Sequence, residues 1–356
     1  MDAIHAIDTA IYFDSNGYEY LQQLLTPTNY SKIFILVDNH TNEQCLPLFL
    51  SNLATDVEIE IIEIEAGEEQ KNIKTCVELW EVMIELGADR KSILINLGGG
   101  VLTDLGGFVA STFKRGIDFI HVPTTLLAMV DAAIGGKNGI DLGALKNQVG
   151  CIVSPKCILI HSEFLHTLDS RQMRSGLAEM FKHGLILDKV YWNKLKDLSS
   201  LSTNDLTHLI QQSIQLKIDV VAEDMYEKGL RKILNFGHTL GHAIESCFLD
   251  QDTSKQLLHG EAIAIGMILE SYISWKLNLL SKEEYLEINY FLSDVFEPIH
   301  FSANDIEKII QLLQYDKKNE HGTIQFVLLN KIGKAISNQN VNNTLIYEAF
   351  TDYYKS

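Results

Sequence analysis

Cysteine is scarce in this chain, cationic side chains are outnumbered, and long apolar runs are missing. The five cysteines (Cys45, Cys76, Cys151, Cys157 and Cys247) are odd in number and form no CxxC pair. That excludes a disulfide framework and a thiolate metal site, and it points to reduced thiols in a cytoplasm. No apolar stretch reaches the roughly 20 residues that span a bilayer, and the opening MDAIHAIDTAIYFDSNG lacks a basic region, so neither a membrane span nor a signal peptide is expected. Lys and Arg number 29 against 47 Asp and Glu, for a net charge of −18. Such a charge repels nucleic acid and anionic membranes, and it makes any local gathering of cations informative.

With 356 residues, the chain exceeds the roughly 250–300 at which one hydrophobic core stops growing, so two domains are expected. Short β-like runs lie at Ile33–Val37, Glu58–Ile64, Ile93–Leu97, Phe119–Val122 and Ile158–His161. Between the second and third, Ile73, Val77, Trp80 and Ile84 recur at helical spacing. This alternation predicts a parallel sheet with crossover helices. From about Ser162 the pattern turns helical, with stripes Leu206, Ile210, Ile214, Val221 and Ile306, Ile309, Leu313. A late hairpin is expected over Ile324–Leu329 and Lys331–Ile336, around Asn330 and Gly333. The expected division is an α/β, Rossmann-like domain over 1–165 and a mostly α-helical domain over 166–356.

Chemistry concentrates in Leu234–Glu261. His238 and His242 stand four apart, so on a helix both imidazoles leave one face. That spacing suits a zinc or cobalt ion, and it equally suits two half-buried histidines of an amphipathic helix. Company favours the metal: His259 lies in a Gly-flanked turn, Arg231 and Asn235 precede His238, and Glu179 and Lys182 share one turn. Thr239 occupies the position where a metalloprotease HExxH needs a glutamate. Spacing alone would choose His238 and His242 as ligands, with Glu245 third.

In the first half, Ile93–Leu97 runs into Gly98-Gly99-Gly100 and on to Asp104. A buried strand ending in glycines lets backbone approach a ligand, and the following helix offers free N–H groups to a phosphate. A ligand-free strand–helix turn would look the same, and the pattern is not the GxGxxG fingerprint. Asp38, closing a strand, would suit a ribose, and Glu68 and Lys71 precede a helix. Together these favour a dinucleotide. Arg115, Lys137, Lys146, Lys182, Lys217 and Arg231 form the set of cations. Lys217 lies on the stripe between Ile214 and Val221, where an ammonium needs an anion to meet.

In this order, GGGVLTDLGGF, RGIDFIHVPTTLLAMVDAAIGGKNGI, LKNQVG, GLAEMFKHG, NFGHTLGHAIE, HGEAIAIGM and the DKK at 316–318 resemble the 3-dehydroquinate synthases within the sugar-phosphate cyclases. The resemblance spans essentially the full chain. It implies an N-terminal domain that binds NAD and a helical C-terminal domain that carries zinc or cobalt on Glu179, His238 and His259. Under it, His242 becomes a substrate and proton-relay contact instead of a ligand. Implied substrate contacts are Asp131, Lys137, Lys146, Asn147, Lys182, Lys217, Arg231, Asn235 and His242, with Lys317 or Lys318. Implied NAD positions are Asp38, Glu68, Lys71, Gly99, Gly100, Asp104, Thr124 and Thr125, with Lys137 and Lys146 close to both ligands. Arg115 would reach a neighbouring subunit, which implies a homodimer.

The implied reaction converts 3-deoxy-D-arabino-heptulosonate 7-phosphate to 3-dehydroquinate and phosphate. It proceeds by transient oxidation, β-elimination, reduction and an intramolecular aldol closure. Gly135-Gly136-Lys137-Asn138-Gly139-Ile140-Asp141 stands where the family commonly has GGKTxxN, Thr103 replaces a frequent Gly, and Gln172 replaces a usual Glu. Lys217, Arg231, Asn235 and His242 together favour this activity over the cyclases of sedoheptulose 7-phosphate. Arg231 is the natural partner of a carboxylate those substrates lack. A metal-dependent polyol dehydrogenase of similar fold is the alternative, although neutral polyols need no cation cluster.

Overall fold

A computed structural model describes residues 3–6, 8–143, 145–197, 203–249, 256–313 and 324–353. The chain divides into two compact units, Met1–Asp169 and Ser170–Ser356. The first contains strands β1 (Ile4–His5), β2 (Ala10–Phe13), β3 (Ile33–Asp38), β4 (Ile59–Ile64), β5 (Ile93–Gly98), β6 (Asp118–Pro123), β7 (Lys137–Leu142), β8 (Leu145–Ile152) and β9 (Cys157–Ile160). Its helices are α1 (Asp14–Leu24), α2 (Asn39–Gln44), α3 (Leu46–Asn52), α4 (Ile73–Glu85) and α5 (Gly100–Thr112).

One sheet runs in the order β1-β2-β9-β6-β5-β3-β4, parallel except where β1 meets β2. β3 and β5 are buried along nearly their whole length, as predominantly apolar strands are when a parallel sheet is covered on both faces. From β3 the chain passes to β4 on one side and returns to β5 on the other. Asp38 and Gly98 close the strands on either side of this switch point, where open α/β sheets bind ligands.

Helix α4 forms where Ile73, Val77, Trp80 and Ile84 predict one, but it turns a different face inward. Thr75, Cys76, Leu79 and Met83 are buried, whereas Ile73, Val77 and Ile84 are 49%, 41% and 59% exposed. The helix is apolar along two stripes. Cys76, Leu79 and Met83, at i, i+3 and i+7, are the ones that join Leu94, Leu105 and Phe108 in the core. Trp80 is only partly buried, and its indole N–H donates to Val109 O at 3.2 Å. The β7–β8 hairpin is a separate antiparallel pair. Because β8 buries none of its residues fully, it carries no clear hydrophobic alternation, and its sequence does not announce it.

The second unit holds α6 (Ser170–Leu187), α7 (Lys189–Leu195), α8 (Thr203–Glu223), α9 (His238–Leu249), α10 (His259–Lys276), α11 (Lys282–Val295), α12 (Ala303–Leu313) and α13 (Asn343–Tyr353), with β10 (Gln325–Lys331) and β11 (Lys334–Asn340). α10 is buried from Ala262 to Ser274 without a break, which makes it the central helix. A Cβ at Gly266 would lie 2.0 Å from Gly237 O, so only glycine allows α9 to approach α10 this closely. Lys331 pairs with Lys334 across Ile332-Gly333. The hairpin therefore turns two residues later than Asn330 suggests, at the residue whose φ of 89° favours glycine. Among the described residues, no helix is long and apolar enough to cross a membrane.

Candidate active site

In the second unit, α6, α9 and α10 bring Glu179, His238 and His259 together. Glu179 Oε1 lies 3.5 Å from His238 Nε2 and 3.6 Å from His259 Nε2. Ligand bonds of roughly 2.1 Å in a tetrahedral arrangement put donor atoms about 3.4 Å apart, so these separations fit the edges of a metal polyhedron. The other ring nitrogens face acceptors: His238 Nδ1 is 3.1 Å from Phe236 O, and His259 Nδ1 is 3.2 Å from Glu245 Oε2. With a proton at each Nδ1, each Nε2 would present its lone pair to a metal. A zinc- or cobalt-sized dication fits this donor set.

Glu179 is fully buried, and its second oxygen pairs with the buried Lys182 one turn away. His242 stands in the same cluster, its ring centroid 5.1 Å from that of His238 and 5.7 Å from that of His259. Glu245, the third ligand by spacing alone, has its Oε2 against His259 Nδ1, while His238, His242 and His259 all offer ring nitrogens within 4.8 Å of one another. Burial alone would depress the His259 pKa. The Glu245 and Glu179 carboxylates outweigh it and push the pKa up to about 10.

Among the described residues of this unit, two further cations are buried. Lys217 is buried on the apolar stripe of α8, as its spacing predicts. Arg231 is buried in the 3-10 turn Leu230–Asn235, with Nη1 donating to Met225 O at 2.6 Å and its backbone N–H donating to Asp224 Oδ2 at 3.0 Å. Asn235 donates to Lys232 O at 3.1 Å and also to Glu227. Glu261 clamps Arg171 with two bonds of 2.7 and 2.8 Å and accepts from Leu258 N, a role its HGE motif does not reveal. Lys317 and Lys318 lie outside the described residues.

The first unit gathers most of the predicted nucleotide positions at the carboxyl ends of its strands. Gly99 caps α5, and a Cβ there would come within 3.1 Å of Thr125 Cγ2. A glycine gap with free helix N–H groups is a cradle that suits a pyrophosphate. Thr124 N donates to Gly98 O at 3.0 Å. Lys71 Nζ lies 2.6 Å from Asp104 Oδ2 and 3.9 Å from Glu68 Oε1, and Lys146 Nζ lies 3.2 Å from Glu68 Oε1. Burial would lower the Lys71 pKa, but Asp104 and Glu68 raise it, so the ammonium stays charged. Asp38 accepts from Thr41 N at 2.7 Å as the N-cap of α2, so the local helix uses one carboxylate oxygen.

Asp131 lies in the π-helical turn Ala128–Ala132. Lys137 and Asn147 are exposed on the β7–β8 hairpin, and Asn147 N donates to Asp141 Oδ1 at 2.6 Å. Arg115 is exposed in a turn where Lys114, Arg115 and Gly116 have φ of 49°, 74° and 107°. Sequence reasoning missed a buried polar chain beneath α5. Asn96 Nδ2 lies 3.2 Å from His121 Nδ1, and Asn138 Nδ2 donates to Gly136 O and Val153 O, both at 2.9 Å. The one signal for it was Asn138 itself, which departs from the GGKTxxN pattern.

A family model described as 3-dehydroquinate synthase N-terminal matches residues 61–175, and one described as 3-dehydroquinate synthase C-terminal matches 176–319. The 3-dehydroquinate synthase of Parabacteroides distasonis is 41% identical over 338 residues, covering 94% of each chain. That of Campylobacter jejuni subsp. doylei is 40% identical over 329 residues, covering 90% of this chain and 92% of its own. Among solved structures, a 2-deoxy-scyllo-inosose synthase complexed with carbaglucose-6-phosphate, NAD+ and Co2+ superposes with a TM-score of 0.85 at 27% identity, covering 99% of this chain and 100% of that one. The 2-epi-5-epi-valiolone synthase of Streptomyces hygroscopicus with NAD+ and Zn2+ gives 0.84 at 26%, covering 100% and 99%. A probable glycerol dehydrogenase of Sinorhizobium meliloti shares the fold at 12% identity and a TM-score of 0.62.

Proposed function

The chain belongs to the 3-dehydroquinate synthase family, and we propose that its two units divide that lyase reaction, the first holding NAD and the second a divalent metal. The observation that carries this reading is the pair of separations from Glu179 Oε1 to the two Nε2 atoms, beside a buried lysine. When bound, NAD accepts and returns a hydride and the dication polarises the alcohol oxygen that is oxidised. Glu179, His238 and His259 hold the metal. Gly99, Gly100, Asp104, Thr124 and Thr125 line the cradle for NAD, with Lys71 fixed by Asp104.

The substrate is 3-deoxy-D-arabino-heptulosonate 7-phosphate, which leaves as 3-dehydroquinate and phosphate. Lys137, Lys146, Lys182, Lys217 and Arg231 balance its phosphate and carboxylate on an otherwise acidic protein. Arg231, its guanidinium pinned by Met225 O, presents a planar fork that matches a carboxylate. Asp131, Asn147 and Asn235 orient the hydroxyls, and His242 passes a proton. Holding one substrate through every step supplies much of the acceleration. The buried Lys217 and Arg231 argue against a polyol dehydrogenase, whose substrates carry no charge.

Arg115, exposed in its left-handed turn, supports a homodimer in which it serves the neighbouring subunit. Five free thiols support a cytoplasmic location. The test is incubation with the heptulosonate phosphate, NAD and Zn2+. Inorganic phosphate should be released without net accumulation of NADH, and absence of phosphate release overturns the proposal.

A further inference from the structure

Helix α9 carries His238 in its first turn, and its N-cap, Gly237, has no side chain with which to cap it. A side chain is excluded there: φ is 79°, and a Cβ would lie 2.5 Å from Met267 Cγ and 3.0 Å from Ile263 O. Two of the orphan N–H groups of the turn, those of Gly237 and Leu240, are met from another helix. Glu270, fully buried on α10, accepts from Gly237 N through Oε2 at 2.6 Å and from Leu240 N through Oε1 at 3.1 Å. In a local capping box, the N-cap and N3 donors are satisfied by two different side chains. Here one carboxylate supplies both bonds, and it does so at the positive end of the helix dipole.

We infer that Glu270 is a positioning residue for the metal centre, a capping carboxylate supplied from α10 that fixes the first turn of α9 and with it the direction of His238 Nε2. The inference rests on His238 being a metal ligand, as proposed above. The link is short. His238 Nδ1 meets Phe236 O immediately before the capped Gly237, so tilting this turn moves both the ring and the carbonyl that sets its tautomer. Burying a carboxylate is expensive unless its oxygens are satisfied, and Glu270 directs both of its oxygens at this one turn. Ser274 Oγ, which donates to Glu270 O at 2.6 Å and accepts from Leu329 N at 3.0 Å, anchors this stretch of α10 to β10.

The experiment compares the full-length protein with Glu270→Gln, Glu270→Asp and His238→Ala. The readouts are Zn2+ affinity by chelator competition, the visible spectrum of the Co2+ form, and the thermal midpoint of the metal-free protein. A carboxamide keeps one acceptor oxygen and turns an N–H toward the other donor. Glu270→Gln should therefore weaken Zn2+ binding by roughly 10–100-fold and shift the Co2+ bands. If that variant does not fold, Glu270→Asp, which keeps the charge with shorter reach, is judged by the same criterion. Affinity within twofold of the parent and an unchanged Co2+ spectrum in the folded variant would make Glu270 a purely structural cap and overturn the inference. Zn2+ binding unaffected by His238→Ala would instead overturn the ligand assignment on which it rests.

Discussion

Lys71 Nζ and Asp104 Oδ2 are 2.6 Å apart, an ion pair that ties the segment before α4 to the helix after the glycine loop. Lys71 is buried and Asp104 partly so, so removing one partner leaves the other poorly compensated. Lys71→Met should destabilise the protein by on the order of 3 kcal/mol, and the double variant with Asp104→Leu should recover much of that loss. NAD affinity should fall in both. Urea midpoints and NAD titration check this; equal stability of parent and single variant would show the pair to be idle.

A second relationship concerns the metal. Glu245 Oε2 faces His259 Nδ1 at 3.2 Å, which orients the ring and makes its other nitrogen more basic. Replacing Glu245 with Gln keeps the shape and removes the charge, so Zn2+ should bind roughly 10–100-fold more weakly. Competition with a calibrated chelator measures it. Were the affinity unchanged, the carboxylate would have no part in holding the ring.

Much of this was legible in the sequence, because strands and ligands announce themselves differently from faces and caps. Ile33–Val37 in β3 and Cys157–Ile160 in β9 are continuous apolar runs and β5 is interrupted only by Asn96, and runs of that kind have one plausible fate in an α/β chain. α4 was recognisable as a helix, but with two apolar stripes its pattern could not say whether Ile73 or Cys76 faces inward. The β7–β8 hairpin, buried only at Asn138–Ile140 and otherwise exposed or half-buried, has no clear periodicity to read. At the proposed metal centre, spacing placed His238 and His242 on one face, yet spacing within a helix says nothing of Glu179, which is separated from His238 by 58 intervening residues and arrives on α6. Glu270 was invisible for the same reason, since its partners are backbone N–H groups of another helix.

His121 gives a pH dependence with a definite sign. Burial drives its pKa down to about 3, and a hydrogen bond with Asn138 offsets only part of the effect. The folded protein thus refuses a proton that the unfolded chain accepts near the ordinary value of about 6.5. Stability from this residue is complete above that value and is lost as pH falls toward 3, by at most about 1.4 kcal/mol per pH unit. His121→Gln should flatten the curve of urea midpoint against pH between 6.5 and 4.5. Parallel curves for parent and variant would mean that other groups govern acid unfolding.

Gly107 on α5 and Asn138 on β7 occupy each other's space. A Cβ on Gly107 would fall 1.8 Å from Asn138 Oδ1 and 2.5 Å from its Cγ. The Asn138 amide cannot swing away freely, because its Nδ2 holds Gly136 O and Val153 O. Gly107→Ala should therefore cost about 1–3 kcal/mol as overpacking and displace the turn that leads into Lys137. Asn138→Ala alone should also destabilise, by exposing those two carbonyls to an unfilled space. The two changes touch the same atoms, so they should not add: with the amide gone, the new methyl meets only the Cβ at 138, 3.2 Å away, and the double variant should be more stable than the sum of the singles implies. Urea unfolding of the four proteins gives the coupling. Additivity to within about 0.5 kcal/mol would show that α5 and β7 adjust independently, and that the fit between them does not hold the lysine hairpin in place.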